Sequence, residues 1–131
     1  MPILDDAAAN ASLAGDFGAA RGPNAADSHE LELWDGDPTL EGSAELSGNG
    51  YAAATILPAD WSTPAGRTVT ASVVFAAPTA AWATATHCVL RDPVSGLAWD
   101  YGQLAEPAEV TEAASAGPTV TVAVFYDNPE D

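Results

Sequence analysis

Residues 119–126 read Thr-Val-Thr-Val-Ala-Val-Phe-Tyr, the clearest secondary-structure signal in the chain. Val120, Val122 and Val124 recur at every second position. Because successive side chains of a β-strand point to opposite faces, this spacing places the three valines on one face. Valine, threonine and aromatic residues also favour extended backbone. The pattern therefore predicts a β-strand at 119–126 with one buried face.

A second alternating stretch, at residues 29–34, reads His-Glu-Leu-Glu-Leu-Trp. Its two leucines share one face, while Glu30, Glu32 and Trp34 share the other, as is typical of a half-buried strand. The turn residues Asp-Pro-Val-Ser-Gly at 92–96 separate two further strands and predict a β-hairpin. By the same criteria, strands are predicted at residues 51–57, 67–75, 85–91 and 97–104.

These elements predict the architecture. Short strands separated by turn residues, without alternating helices, predict an all-β fold, an antiparallel β-sandwich of about six to eight strands. The stretch Asp5–Phe17 is rich in alanine, with acids at its start and Gly18 after its end, and predicts a short N-terminal helix or arm. We expect residues 1–27 to form this arm with its linker, and residues 28–131 to form the sandwich.

The 131 residues contain three Lys+Arg and 19 Asp+Glu, which gives a formal net charge of −16. A nucleic-acid backbone or an anionic lipid surface would repel such a chain, so we expect neither as a partner. A halophilic origin would explain the same composition. The single cysteine, Cys88, excludes an intramolecular disulfide, and the N-terminus lacks the features of a signal peptide. We therefore expect the chain to be made and folded in a cytoplasm.

Two pairs of neighbouring residues are candidates for chemistry. His87 and Cys88 are adjacent on a predicted strand and face opposite sides, so they are poorly placed to act as a nucleophile and its base. We interpret them as a histidine held by a hydrogen bond and a buried thiol. Glu30 and Glu32 share a face, but a glycosidase needs its two carboxyls across a cleft, one with a raised pKa. We interpret this pair as a solvated strand face.

Two loops resemble ligand-binding motifs. Asp35-Gly36-Asp37 lacks the ligand spacing of an EF-hand, although calcium binding between subunits is an alternative. Gly48-Asn49-Gly50 lacks the helix start and the Lys-Ser/Thr of a phosphate loop. Both are better interpreted as turns. The sequence therefore predicts no cofactor, no metal-binding and no catalytic residue, and a protein that is not an enzyme.

The large aromatic side chains are the strongest candidates for contacts. In small β-domains they are usually core or interface anchors, and a sugar-stacking platform is the alternative. The apolar residues of the arm are candidates for docking onto a partner, with folding on binding. The candidate core or interface anchors are Trp34, Tyr51, Trp61, Trp82, Trp99 and Tyr101. The candidate docking residues of the arm are Leu4, Leu13 and Phe17.

An ordered set of short motifs extends over residues 28–126. They are Asp-Pro at 37–38, Glu-Leu-Ser-Gly-Asn-Gly-Tyr at 45–51, Trp-Ala-Thr-Ala-Thr-His at 82–87, Arg-Asp at 91–92 and Tyr-Gly-Gln-Leu at 101–104. In this order they resemble a family of small bacteriophage virion proteins, described as tail-fibre or minor capsid proteins. The family carries a glycine where this chain has Ala83.

The resemblance implies a structural protein on the virion exterior, made in the host bacterial cytoplasm. A single domain without coiled-coil or repeat segments, and with an acidic surface, favours an outer capsid decoration or cement protein that stabilises the head. Its expected partners are further copies in a homotrimer, and the major capsid protein or other virion proteins. One alternative is a tail-tip or tail-fibre module that contacts host surface glycans. The other, outside phages, is an acidic carbohydrate-binding domain or enzyme.

Overall fold

The computed structural model describes residues 28–125, apart from the side chain of Phe125. This range contains six strands, a short 3₁₀-helix at Pro58–Asp60 and no α-helix. The strands are β1 (His29–Trp34), β2 (Ala54–Ile56), β3 (Thr68–Val74), β4 (Ala85–Arg91), β5 (Ala98–Ala108) and β6 (Thr119–Phe125). The predicted N-terminal arm, residues 1–27, lies outside the described residues, so its separation from the sandwich stays a prediction.

The strands follow the sequence pattern closely. β1 and β4 have the predicted bounds, while β2 is shorter than predicted because the chain before it turns. In this turn the backbone N–H of Tyr51 donates to the carbonyl of Gly48 at 3.0 Å. β5 is longer than predicted and continues through Pro107. It lies at the edge of its sheet, where a proline is tolerated because it removes no ladder bond.

The strands form a four-stranded sheet in the order β2-β1-β4-β5 and a two-stranded sheet of β3 and β6. β4 is antiparallel to both of its neighbours, with Leu33 opposite Cys88 and Val89 opposite Tyr101. β4 and β5 form the predicted hairpin, which is closed by a hydrogen bond from the Asp92 N–H to the carbonyl of Leu97 at 2.9 Å. These strands and sheets confirm the predicted all-β, antiparallel sandwich class.

The chain divides into two compact units. The described residues of the first unit are 28, 56–72 and 121–125, and those of the second are 29–55 and 73–120. The first unit buries Ile56, Val69 and Ala71, which are at most 3% exposed. Within it, the hydroxyls of Ser72 and Thr121 share a hydrogen bond of 2.6 Å. This bond connects β3 to β6.

The second unit contains β1, β4 and β5, and one face of these strands is apolar. Directly opposite residues of antiparallel strands point to the same face, so Leu31 lies beside Leu90, and Leu33 lies beside Cys88. We call these four residues the leucine face. Leu31 and Leu33 are fully buried, and each such leucine contributes about 1.5–3 kcal/mol to folding. Burial of this face fixes which side chains the opposite face presents.

Candidate functional site

The opposite face of β1, β4 and β5 carries polar and aromatic side chains in three rows. From β1 to β5 the rows are Trp34–His87–Gln103, Glu32–Val89–Tyr101 and Glu30–Arg91–Ala98. We call this surface the polar face. Glu32 and Val89 are buried beneath it, whereas its other members are half-buried or exposed. The alternation that buries the leucines therefore gathers several hydrogen-bonding groups on one accessible surface.

A salt bridge between β1 and β4 stabilises the polar face. Arg91 donates from Nε to Glu32 Oε2 at 2.8 Å and from Nη2 to Glu32 Oε1 at 3.2 Å. These bonds raise the pKa of Arg91 above its ordinary value. Arg91 Nη1 also donates to the carbonyl of Gly96 in the hairpin turn at 2.9 Å. A bidentate contact of this kind fixes both side chains in one geometry.

The interpretation of Glu32 as a solvated carboxylate was wrong. Its exposed fraction is 7%, and Arg91 neutralises its charge. A buried carboxylate needs such a partner because loss of water is costly for an ion. Sequence reasoning missed Arg91 as a site residue. The available signal was an arginine on a predicted strand of a chain with three Lys+Arg, but the pairing register was needed to choose its carboxylate.

Trp34 is tied to the same carboxylate. Its indole Nε1–H donates to Glu32 Oε1 at 3.0 Å, so Glu32 accepts three hydrogen bonds from two side chains. The indole is half-buried at the end of β1. A continuous chain of polar contacts thus runs from Gly96 through Arg91 and Glu32 to Trp34. The ring orientation of Trp34 is therefore set by the sheet.

Tyr51 closes the free edge of β1 beyond the short strand β2. Its hydroxyl accepts a hydrogen bond from the Leu33 N–H at 3.0 Å and donates to Glu45 Oε2 at 2.8 Å. The Leu46 N–H donates to the Leu33 carbonyl at 2.9 Å. Burial raises the pKa of Tyr51 above its ordinary range and also raises the pKa of Glu45. These contacts satisfy the backbone of an exposed strand edge, which would otherwise invite pairing with another chain.

The ring of Tyr51 belongs to an aromatic cluster. It meets the ring of Trp82 edge-on, with centroids 5.4 Å apart, and stacks on Phe75 at 6.2 Å. The Trp82 Nε1–H donates to the carbonyl of Asn49 at 2.8 Å, and Asn49 Nδ2 donates to the carbonyl of Ala81 at 2.7 Å. The Gly48-Asn49-Gly50 loop, which the sequence predicts to be a turn and not a phosphate loop, therefore positions the buried side chain of Trp82.

The two aromatic residues of β5 point to different sides. A register shift opposite Leu90 and Arg91 leaves Trp99 as an extra residue in the pairing, which is a β-bulge. The ring of Trp99 packs edge-on against His29 at a centroid distance of 5.1 Å, on the side of the leucine face. Tyr101 lies on the polar face. Strict alternation would have placed both rings on one face.

The predicted anchors occupy three kinds of environment. Trp61 and Trp82 are buried, Trp34 and Tyr51 are half-buried, and Trp99 and Tyr101 are exposed. The predicted docking residues Leu4, Leu13 and Phe17 lie outside the described residues. The roles assigned to the anchors and to the arm in contacts with other chains stay predictions.

The adjacent His87 and Cys88 lie on opposite faces. His87 is on the polar face, and its Nδ1 is 2.9 Å from the hydroxyl of Thr86. Cys88 is on the leucine face, and burial raises the pKa of its thiol. A thiol that resists ionisation and points away from the imidazole is unsuited to nucleophilic catalysis.

The Asp35-Gly36-Asp37 loop uses its carboxylates within the turn. Asp37 Oδ1 accepts hydrogen bonds from the Thr39 N–H at 2.9 Å and from its hydroxyl at 2.7 Å, which lowers the pKa of Asp37. Asp35 Oδ1 accepts from the Ala44 N–H at 2.9 Å. Among residues 28–125, no group of three or more His, Cys, Asp or Glu side chains is arranged to hold a metal ion.

Comparison with known proteins agrees with the motif order. No helix among the described residues is both long and apolar enough to cross a membrane. No curated protein and no solved structure matches the chain. A family model described as "Podophage GP4 fiber I protein gp80" matches residues 17–122 and confirms the resemblance to small phage virion proteins. Since this match covers most of the chain, the protein is a structural component of a phage virion and belongs to the podophage GP4 fiber I protein gp80 family.

Proposed function

We propose that the protein is a tail-fibre component on the outside of the virion. The observation that carries this proposal is the family match over residues 17–122, whose description names a fibre protein. That description supports the tail-fibre alternative better than the head decoration role, which the single domain and the acidic surface favour in the sequence. We propose that its partners are other virion proteins and further copies of the chain.

Charge and chemistry are consistent with this proposal. A net charge of −16 keeps a particle-exterior module soluble and repels it from the packaged genome. Glu32, the buried member of the carboxylate pair, directs its oxygens to Arg91 and Trp34 and is only 7% exposed. A general acid must be within hydrogen-bond reach of its substrate, and Glu32 offers little access for one. These features favour a structural role over a catalytic one.

Electron microscopy of whole particles tests the location. A gold-labelled antibody raised against this chain is expected to mark the tail, with few particles labelled on the head. An antibody against the major capsid protein is the matched control and should mark the head. Dense labelling over the head would contradict the tail-fibre proposal and return support to the decoration role. Absence of label from intact and from disrupted particles would contradict both.

A homotrimer forms part of the proposal. Val94 and Leu97 in the β4–β5 hairpin are 88% and 65% exposed, and exposed apolar side chains favour association between chains. Light scattering of the purified chain, whose monomer mass is 13.3 kDa, should give three times that mass. A monomer that persists at the highest soluble concentration would contradict the trimer.

A further inference from the structure

Building on the proposed fibre role, we propose that the polar face binds a neutral saccharide. The face presents two aromatic rings together with side chains that can bond to hydroxyl groups. An aromatic ring can pack against the apolar C–H face of a sugar ring, while side-chain donors and acceptors bond to its hydroxyl groups. The site lies within the second compact unit and uses β1, β4 and β5.

The aromatic elements are Tyr101 and Trp34. Tyr101 is 53% exposed on the edge strand β5, and Trp34 is half-buried on β1. They lie in adjacent rows and are two strands apart. Strand spacing and residue rise place their Cα atoms roughly 12 Å apart. A disaccharide or trisaccharide can span that distance, with one ring unit against each aromatic side chain.

Polar side chains lie beside and between the two rings. Gln103 is exposed next to Tyr101, and its amide both donates and accepts hydrogen bonds. His87 lies between Trp34 and Gln103 in the same row. Glu30, half-buried on β1, supplies further acceptor oxygens. Sugar hydroxyls donate and accept as well, so this set can match them in either role.

The site is rigid before the ligand arrives. Trp34 is oriented by Glu32, which is held by Arg91, which in turn bonds to Gly96 of the hairpin. A ring that is already oriented loses little conformational entropy when it stacks on a ligand. This organisation distinguishes Trp34 from an exposed aromatic side chain that is free to rotate. It also places the ion pair in a positioning role, behind the groups that contact the saccharide.

Charge selects a neutral ligand. The carboxylates of Glu30, Glu32 and Glu45 act on Arg91, the one arginine or lysine on the polar face, and the whole chain carries a net charge of −16. A phosphorylated or uronic-acid saccharide would meet net repulsion there. A neutral saccharide would lose only its hydration, and the polar side chains would replace the hydrogen bonds that it made to water. We therefore assign neutral glycans, not acidic ones, to this face.

The test uses the purified full chain on an array of bacterial surface oligosaccharides that includes neutral chains and their phosphorylated or uronic-acid counterparts. The strongest neutral oligosaccharide is then titrated by calorimetry. Binding is expected for neutral chains alone. Tyr101→Ala should weaken it about tenfold, the size of losing one well-packed aromatic contact. Trp99→Ala is the matched control, since Trp99 is on the same strand but points to the other side, and its affinity should stay within about twofold.

Each other outcome overturns the inference. These outcomes are no binding on the array, preference for acidic glycans, or equal losses in both variants while circular dichroism shows a native fold. If Tyr101→Ala instead changes the mass measured by light scattering, the face is a protein interface. The location experiment separates the two proposals. Tail labelling without saccharide binding contradicts only this inference, whereas head labelling contradicts the fibre role.

Discussion

The leucine face and the polar face belong to the same three strands, yet different forces stabilise them. Leu31 and Leu33 are fully buried and contribute through removal of apolar surface from water, which is non-directional and involves no ionised group. On the polar face, the salt bridge between Glu32 and Arg91 stabilises the fold only when its hydrogen bonds are well aligned, because both side chains lose hydration. The leucine face therefore contributes folding stability, whereas the polar face holds a specific arrangement of side chains.

A partly buried ion pair, such as Glu32 with Arg91, is a costly way to cover a strand. Apolar residues of similar volume often give equal or greater stability, since they avoid the loss of ion hydration. Here the pair also fixes the indole of Trp34 and the hairpin turn at Gly96. The arrangement is therefore better explained by the surface that it organises than by the stability that it adds.

The largest effect is expected on the leucine face. Leu33→Ala should lower the free energy of unfolding by about 3 kcal/mol, because it leaves a cavity beneath a fully buried position. Urea denaturation measures this change. Leu40→Ala is the control: its side chain is 62% exposed, so its effect should stay within about 0.5 kcal/mol. Similar values for the two variants would contradict the assignment of folding stability to the leucine face.

The next effect is on the polar face. Arg91→Ala should destabilise the fold by about 2 kcal/mol, because the carboxylate of Glu32 stays largely buried after its partner is gone. The loss is smaller than for Leu33 because the side chain of Arg91 is 30% exposed and water can partly replace it.

A double variant isolates the cause of that loss. Arg91→Leu combined with Glu32→Leu removes both charges, and the double variant should be more stable than Arg91→Leu alone. Urea denaturation of the four proteins in this cycle gives the interaction energy. If the second substitution adds its own full loss, the carboxylate was not the source of the destabilisation.

A third effect concerns the edge of β1. Tyr51→Phe should lower the free energy of unfolding by about 1 kcal/mol, because the Leu33 N–H loses its acceptor. The ring remains, so its packing against Trp82 and Phe75 is retained. Hydrogen exchange should become faster at the Leu33 amide. Tyr101→Phe, which removes an exposed hydroxyl, should change neither quantity.

The local sequence pattern was enough to predict the strands. The arrangement of the candidate site depends instead on how those strands pair. The alternating leucines of β1 and the hairpin turn at 92–96 contain enough information within a few residues to predict their structure. The bulge at Trp99 does not, because it depends on how β5 pairs with β4. The partner of Glu32 is Arg91, 59 positions away, and only the register of β1 on β4 brings them together.

The smallest effect is electrostatic and appears as a dependence on pH. Burial raises the pKa of Glu45 above its ordinary value of 4.5, so the folded chain holds this proton more tightly than the unfolded chain does. The resulting stabilisation is present below pH 4.5 and is lost as the pH rises through the raised value. Glu45→Gln should avoid that loss, because the glutamine carbonyl can still accept the hydrogen bond from Tyr51.

Asp37 and Asp92 have lowered pKa values and give the opposite trend, so the total stability of the chain does not isolate Glu45. The informative quantity is the difference in unfolding free energy between Glu45→Gln and the unsubstituted chain, measured by urea denaturation across the acidic range. As the pH rises, the unfolding free energy of Glu45→Gln should increase relative to that of the unsubstituted chain, and the difference should become constant at neutral pH. A difference that moves in favour of the unsubstituted chain would mean that the carboxylate is stabilised as an anion. The charged groups that act on Glu45, which are Glu30, Glu32 and Arg91 of the polar face, would then contribute more to stability than the contrast with the leucine face predicts.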